Sequence, residues 1–381
     1  MVSGTPASSF AVRAESPERL VAGVTEAIRT VARPSGVLLL LSGGAAQRVR
    51  QVAEVLSRAE LGVPVLIATG AGVLTERGEL EGQSAGTGMV FSGGKPEAIV
   101  AEARTPDDAA SDLAEQLSTL TRGTRATALV FAQARGFGVD SLEPFASVAG
   151  TTILGAGMPG DAKVFAIGTS GRLQEGSVGA LVIRGLTPAL VRSSPACRLL
   201  MPLRPITAAR GPLLLEIGGE PALDVLEAVA KELRGQPLVL TILAPAESEE
   251  ESARPELLVR GIQGVDPARR AIMLSGELTV GSRLAFAVRD GSAARTDLEL
   301  VVRDLARETA GAAPLFGVYL NCASRGAELY GTPDVDIRIL RGRFPEIPIV
   351  GMQSAFEIAP YLGRPALHLY TGVFAMFTVP S

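Results

Sequence analysis

The sequence predicts an α/β protein with mixed β-sheets flanked by helices, built from repeated strand-helix-strand units. Three observations predict it. One unit recurs three times: a buried apolar strand, a short polar turn, a helix, a second strand closing on small residues, and a later strand carrying a glycine. The first copy is GVLLLLSGGAAQRVRQVAEVL with PVLIATGAG and SAGTGMVF (36–91). The second is ATALVFAQARGFGVDSLEPF with TTILGAGMPGD and SVGALVIRG (126–185). The third is LFGVYLNCASRGAELYG with IPIVGMQSAFE and LHLYTGVFAMF (315–377). Their irregular spacing marks duplication inside a globular protein, not a solenoid. Second, hydrophobic residues make up 47% and charged residues 20%, which excludes general disorder. Third, 381 residues suffice for two or three cores.

Taken in order, residues 17–32 form an amphipathic helix with Ser16 as N-cap and Pro17 at its first position. A second helix lies within 106–121, with acids in its first turn. The Pro- and Arg-rich stretch SSPACRLLMPLRPITAARG is expected to be an irregular connection. LLLEIGG reads as a strand, followed by a helix bounded by Pro221 and Gly235. The polar run 245–256 is a solvated loop. LLVRGIQ, AIMLSGE and SRLAFAVRDG are short strands, and Thr296 is expected to cap the helix TDLELVVRDLARETAG. The main boundary falls between residues 190 and 215. This gives a lead segment (1–30), an N-terminal domain (31–210) and a C-terminal domain (211–381).

Composition narrows the function. No apolar stretch nears the roughly 20 residues of a spanning helix, and MVSGTPASSFAVRAE lacks the basic and apolar segments of a signal peptide. A net charge of −4 suits neither a phosphate backbone nor an anionic membrane. A cytoplasmic protein with two free thiols, Cys197 and Cys322, is expected. One histidine, His368, limits acid–base and metal chemistry, and no CxxC or HxxxH cluster exists.

Cys322 ends an apolar strand and opens the turn carrying Arg325, a placement that stabilises thiolate; the alternative is a small buried residue. A Cys–His–acid constellation requires Cys322, His368 and Glu357. His368 alternates with Tyr370 and Gly372 along one face of the last strand, lining a pocket or else sitting hydrogen-bonded in the core. The ends Gly70-Ala71-Gly72, Gly155-Ala156-Gly157 and Gly351 with Ser354-Ala355 match no phosphate-binding pattern and suit tight packing or ligand contact. Glu357, amid small and apolar residues, needs a partner if buried, and Arg325 or Arg364 could supply it. A carboxylate and an arginine in one pocket would suit a zwitterion such as an amino acid.

These segments resemble the FIST family (F-box and intracellular signal transduction). The resemblance rests on VPVLIATGAGVLTERGELEG, KVFAIGTSGRLQEGSVGALVIRG, LLLEIGGEPALDVLEAV, LLVRGIQGVDPARRAIMLSGEL, LNCASRGAELYG and PIVGMQSAFEIAP, in that order. It implies a two-domain architecture and a sensory module binding small molecules such as amino acids, with haem-binding gas sensors among its members. It points to Cys322, Arg325, Gly326, Gly351, Glu357 and His368, to which the strand face shared with His368 adds Tyr370. The chain departs from the pattern at Ala355, Phe356 and Ala359, and at Leu199, Leu200 and Met201 after Cys197.

The expectation is therefore a non-catalytic sensor of a small, amino-acid-like ligand that signals through a separate protein, with no nucleic-acid or membrane partner. No cofactor is assigned. A cysteine-dependent enzyme using Cys322 and His368, a haem sensor ligated by His368, and a scaffold are the alternatives.

Overall fold

The computed structural model describes residues 5–231, 233, 238–246 and 255–379. Its elements fall into three repeats of one pattern, the third interrupted by an insertion. The first holds β1 (Ala7–Val12), α1 (Pro17–Thr30), β2 (Pro34–Ser42), α2 (Gly43–Gln47), α3 (Val49–Arg58), β3 (Val65–Thr69), a hairpin of β4 (Gly72–Thr75) and β5 (Gly78–Glu81), and β6 (Ala85–Ser92). The second holds β7 (Lys95–Ala101), α4 (Pro106–Leu120), β8 (Ala126–Gln133), a 3-10 helix (Asp140–Ser147), β9 (Thr151–Met158), a hairpin of β10 (Val164–Ile167) and β11 (Leu173–Gly176), and β12 (Val178–Arg184). The third opens with β13 (Thr187–Pro195). The insertion follows: β14 (Cys197–Leu199), β15 (Arg204–Arg210), β16 (Leu213–Ile217), β17 (Glu220–Pro221), α5 (Ala222–Lys231), β18 (Val239–Ala244), β19 (Leu258–Asp266), β20 (Ala271–Leu274) and β21 (Arg283–Arg289). The third repeat then resumes with α6 (Gly291–Glu308), β22 (Ala313–Cys322), α7 (Ala327–Tyr330), α8 (Val335–Arg343), β23 (Ile349–Ser354), a hairpin of β24 (Glu357–Tyr361) and β25 (Arg364–His368), and β26 (Thr371–Val379).

In each repeat the central strand runs parallel to the second and antiparallel to the closing one: β2 with β3 and β6, β8 with β9 and β12, β22 with β23 and β26. The hairpin leaves its own repeat. β4–β5 completes the sheet of the third repeat on β23, β10–β11 that of the first on β3, and β24–β25 that of the second on β9. Cyclic exchange yields three six-stranded sheets of matching order.

Strand alternation then divides the core. Leu38 and Leu40 of β2, Leu129 and Phe131 of β8, and Val318 and Leu320 of β22 meet in one central cluster. Leu39 and Leu41 pack outward on α1 and α3, while Tyr319 packs outward with α6 and α8. Sheets covered on both faces explain why these strands read as unbroken apolar runs. The small-residue ends are tight packing points. A Cβ on Gly155 would lie 1.7 Å from the Val130 carbonyl oxygen, and one on Gly351 would lie 1.8 Å from that of Tyr319. The insertion closes on itself, β21–β15–β16–β20–β19–β18–β21, around Ile206, Leu214, Ile272 and Phe286.

Ser16 caps α1 with Pro17 in its first turn, as the spacing predicts. Three expectations fail. Residues 193–211 are not irregular but supply the end of β13, β14 and β15, with Arg198, Pro205 and Arg210 on exposed strand positions and Pro195 buried at the end of β13. Thr296 is no cap: α6 begins at Gly291 because Asp290 Oδ1 accepts the Ala293 N–H at 2.8 Å. The last apolar run is two strands in two sheets, since Tyr370 adopts a left-handed φ of 49° and turns the chain between β25 and β26. His368 and Gly372 therefore share no strand face, and the Tyr319 ring covers the bare Gly372. Gly235 and most of the polar run 245–256 lie outside the described residues. Among the described residues no helix is long and apolar enough to cross a membrane.

Candidate functional site

The C-terminal end of β22 brings Cys322 to the inner side of the third sheet, beside Ser354 of β23. Its sulfur lies 3.2 Å from Ser324 Oγ, and the backbone N–H groups of Ser324 and Tyr370 also point at it. Burial and the nearby Glu357 nonetheless push the thiol up, so it is a protonated SH. Arg289 lies over the Tyr370 ring at 5.6 Å and donates to the Ser324 carbonyl at 2.5 Å. The insertion thus roofs the turn that follows Cys322.

The exchanged hairpin brings Glu357 and His368 together. They are directly opposed on β24 and β25, on the face turned to the central core, and neither is exposed. Glu357 Oε1 lies 2.8 Å from the Ser354 hydroxyl, which is also 3.0 Å from the Asn321 carbonyl oxygen. Glu357 Oε2 accepts no hydrogen bond among the described residues, although the Thr371 backbone N–H lies toward the carboxyl group. Burial pushes this carboxyl well above the usual carboxylate range. Neither proposed cation hydrogen-bonds to it: Arg325 acts on it only through its charge, its donors being engaged elsewhere, and Arg364 pairs with Tyr361 at the far end of the hairpin. His368 Nε2 is 3.3 Å from the Ala359 carbonyl oxygen, while Nδ1 has no hydrogen-bond partner among the described residues. Burial, then the charge of Arg260, lowers its pKa to about 3, so the ring is neutral. No hydrogen bond links Cys322 to His368 among the described residues; Glu357 is the neighbour of each.

The other sequence candidates lie outside this cluster. Arg325 is fully buried, donating to Asp336 at 2.8 Å and to the Ser194 carbonyl at 2.6 Å, with Ser194 Oγ and the Ala294 carbonyl on its remaining nitrogen. It ties β13, α6 and α8 together. Burial penalises its charge, but Asp336 outweighs that and holds the guanidinium firmly ionised. A Cβ on Gly326 would strike Glu81 at 1.7 Å and displace that carboxylate, which accepts the Ala327 N–H at 3.1 Å and Gln353 Nε2 at 2.8 Å. Gly351 serves strand packing, and Phe356 stacks on Phe137 over Gly157.

Internal repetition supplies a control. The residue opposite Ala156 in the second sheet is Glu357, with His368 as its hairpin partner. The matching pair in the first repeat's hairpin is Val73, opposite Met352, with Leu80. In the second repeat's hairpin it is Val164 with Gly176. Val73, Leu80 and Val164 all lie in the central core. The fold is satisfied by apolar residues at this place twice and carries an acid and an imidazole once.

Sequence reasoning missed Asn321, whose amide atoms are buried without partners among the described residues, and the roles of Ser354 and Asp336. Aligning the three copies residue by residue would have exposed Glu357 and His368 as the odd pair. The larger clefts lie elsewhere, including one of about 590 Å³ between α6 and α8 lined by Arg295, Val302, Val335 and Arg338.

Comparison with known proteins accords with this plan. The FIST N domain matches residues 35–220 and the FIST C domain residues 222–360. An uncharacterized protein of Mycobacterium tuberculosis is 31% identical over 244 residues, 61% of this chain and 61% of its own length. One of Mycobacterium bovis is 30% identical over 242 residues, again 61% of each. The chain thus spans about three fifths of the length of the curated relatives it matches. Among solved structures, T. maritima PurL complexed with FGAR aligns over 98% of this chain and 72% of its own, at 11% identity and a TM-score of 0.22, too low to carry an argument. Both domain matches fall in the order that the sequence motifs predict, and the chain belongs to the FIST family of signal-transduction sensory modules.

Proposed function

We propose that the chain is a small-ligand-binding sensory module without catalysis of its own, and that its site is the polar cluster of Cys322, Ser354, Glu357 and His368, with Tyr370 on its outer side. One observation carries this: a position filled by Val73 with Leu80, and by Val164 with Gly176, holds Glu357 with His368 in the third repeat. A buried polar group left unpaired costs about 1–3 kcal/mol. Folding does not require that cost here, because the same fold meets the position with apolar residues, so a bound partner is the economical reason for it.

The non-catalytic reading is supported by the thiol. A cysteine nucleophile needs a lowered pKa and a base within hydrogen-bond reach, whereas Cys322 is pushed up and its sulfur faces Ser324. His368, enclosed between strands, is poorly placed as an axial ligand to haem. Two free cysteines fit a reducing cytoplasm. The exchanged hairpin touches the second repeat and, through Arg260 donating to the Leu367 carbonyl, the insertion. Occupancy of the site would bias that contact and so the surface offered to a signalling protein.

Native mass spectrometry of the protein as purified tests this. The wild type is expected to carry a small molecule that the Glu357→Val/His368→Leu variant lacks. Equal, empty masses for both would remove the support for sensing at this site.

A further inference from the structure

Resting on that reading, we infer that the cluster recognises a primary ammonium group, through Glu357 Oε2 and His368 Nδ1, and does not recognise a carboxylate. The assignment follows from counting hydrogens. The Ala359 carbonyl oxygen can only accept, so His368 Nε2 carries the hydrogen of the neutral ring and Nδ1 is a bare acceptor. Ser354 has one hydroxyl hydrogen but lies 3.0 Å from the Asn321 carbonyl oxygen and 2.8 Å from Glu357 Oε1. Both contacts are bonds only if Glu357 carries a hydrogen on Oε1 and donates it to Ser354, which donates to Asn321. Oε2 is then a bare carbonyl oxygen.

Two acceptors therefore face the same side of adjacent strands, both fully buried and neither in a hydrogen bond among the described residues. Cross-strand partners stand about 5 Å apart at Cβ, close enough to share one nitrogen. One of the two belongs to a buried carboxyl group that feels the charge of Arg325 but hydrogen-bonds to no cation among the described residues, and an ammonium ion would supply that contact. On binding, the Glu357 O–H bond breaks, its proton passes to buffer, and the carboxylate pairs with R–NH3+; no other covalent bond changes. Recognition of a ligand carboxylate would need a donor cation; of the two buried arginines nearby, Arg325 is committed to Asp336, Ser194 and Ala294, and Arg260 donates to the Leu367 carbonyl on the hairpin backbone. The half-buried Tyr370 and Cys322, 8% exposed, form the side nearest solvent.

His368 is the chain's single histidine, so its ring nitrogens give unambiguous NMR signals. The full-length protein is titrated with propylamine, putrescine, propionamide and propionate while the Nδ1 resonance is followed. Calorimetry in two buffers of different ionisation enthalpy counts protons. The amines are expected to move Nδ1 and release about one proton, and to do neither in Glu357→Val/His368→Leu, which retains the fold by borrowing Val73 and Leu80. Propionamide acting alike without proton release would overturn the cationic class. Propionate acting alone would overturn the donor assignment. If none acts but the purified protein carries a ligand without an amine, the class fails and sensing stands. If none acts and the protein is empty, both fail.

Discussion

Arg325 and Asp336 form an ion pair 2.8 Å long that is closed to solvent on both sides, 1% and 0% exposed. Tyr319 and Tyr330 donate to the same carboxylate at 2.6 and 2.7 Å, so every oxygen of Asp336 is used. Removing one member leaves a buried charge uncompensated. Arg325→Ala is expected to cost about 3–5 kcal/mol, and Arg325→Lys to recover only part, because an ammonium lacks the planar fork. Urea unfolding followed by circular dichroism measures both; a loss below 1 kcal/mol would make the pair dispensable.

Gly351→Ala is expected to abolish folding. Its Cβ would sit 1.8 Å from the Tyr319 carbonyl oxygen and 2.8 Å from Leu74, in a strand that cannot shift without breaking register with both β22 and β4. Recovery of soluble, folded variant in normal yield would contradict this.

Acid should weaken the fold through His368. Its pKa falls to about 3 on folding from an ordinary 6.5, so the unfolded chain binds more protons between those values. Stability then rises with pH across that window, is fully present above 6.5, and is lost on acidification. The ring signals should stay unchanged down to about pH 3, and His368→Leu should remove one proton from the slope of unfolding free energy below pH 6.5.

Glu79 should act in the opposite sense. It is raised from 4.5 to about 8 by burial, with Asp336, Glu81 and Asp334 adding repulsion. A carboxyl raised on folding contributes stability that is complete below 4.5 and lost as pH climbs through 8. Glu79→Gln is expected to flatten the decline between pH 4.5 and about 8 in a denaturation series; an unchanged slope would assign the decline to other groups.

Both thiols should resist alkylation. Burial raises Cys197 to about 12, and burial with Glu357 raises Cys322. Intact mass after iodoacetamide at pH 7.5 is expected to show no adduct in the native protein and two adducts in urea. Rapid single labelling at Cys322 would restore the nucleophile as a serious reading.

The repeats were legible because each copy keeps an apolar central strand and a small-residue second strand, and Gly155 and Gly351 meet carbonyl oxygens that tolerate no Cβ. The exchange of hairpins was not. Sequence shows that β24 follows β23 but not that Glu357 pairs with Ala156, two hundred residues away, since register across separate sheets leaves no local mark. The same blindness placed His368 and Gly372 on one strand: the left-handed turn sits at Tyr370, a residue type that gives no warning of it. Arg325 was found as a residue but misjudged in role, because only the packed structure shows Asp336 and Ser194 taking its donors.

Exchanged hairpins also set the order in which the chain can finish. Residues 72–81 leave the ribosome early, yet their partner strand β23 spans 349–354 and is made near the end of synthesis. During that interval β4 and β5 have no sheet to join, and the first sheet cannot complete itself until β10 and β11 appear. Loop closure over such a span is slow, and unpaired strands are prone to association meanwhile. Separation at residue 220 would leave each half lacking strands the other owns. The two family domains are thus sequence units and not folding units.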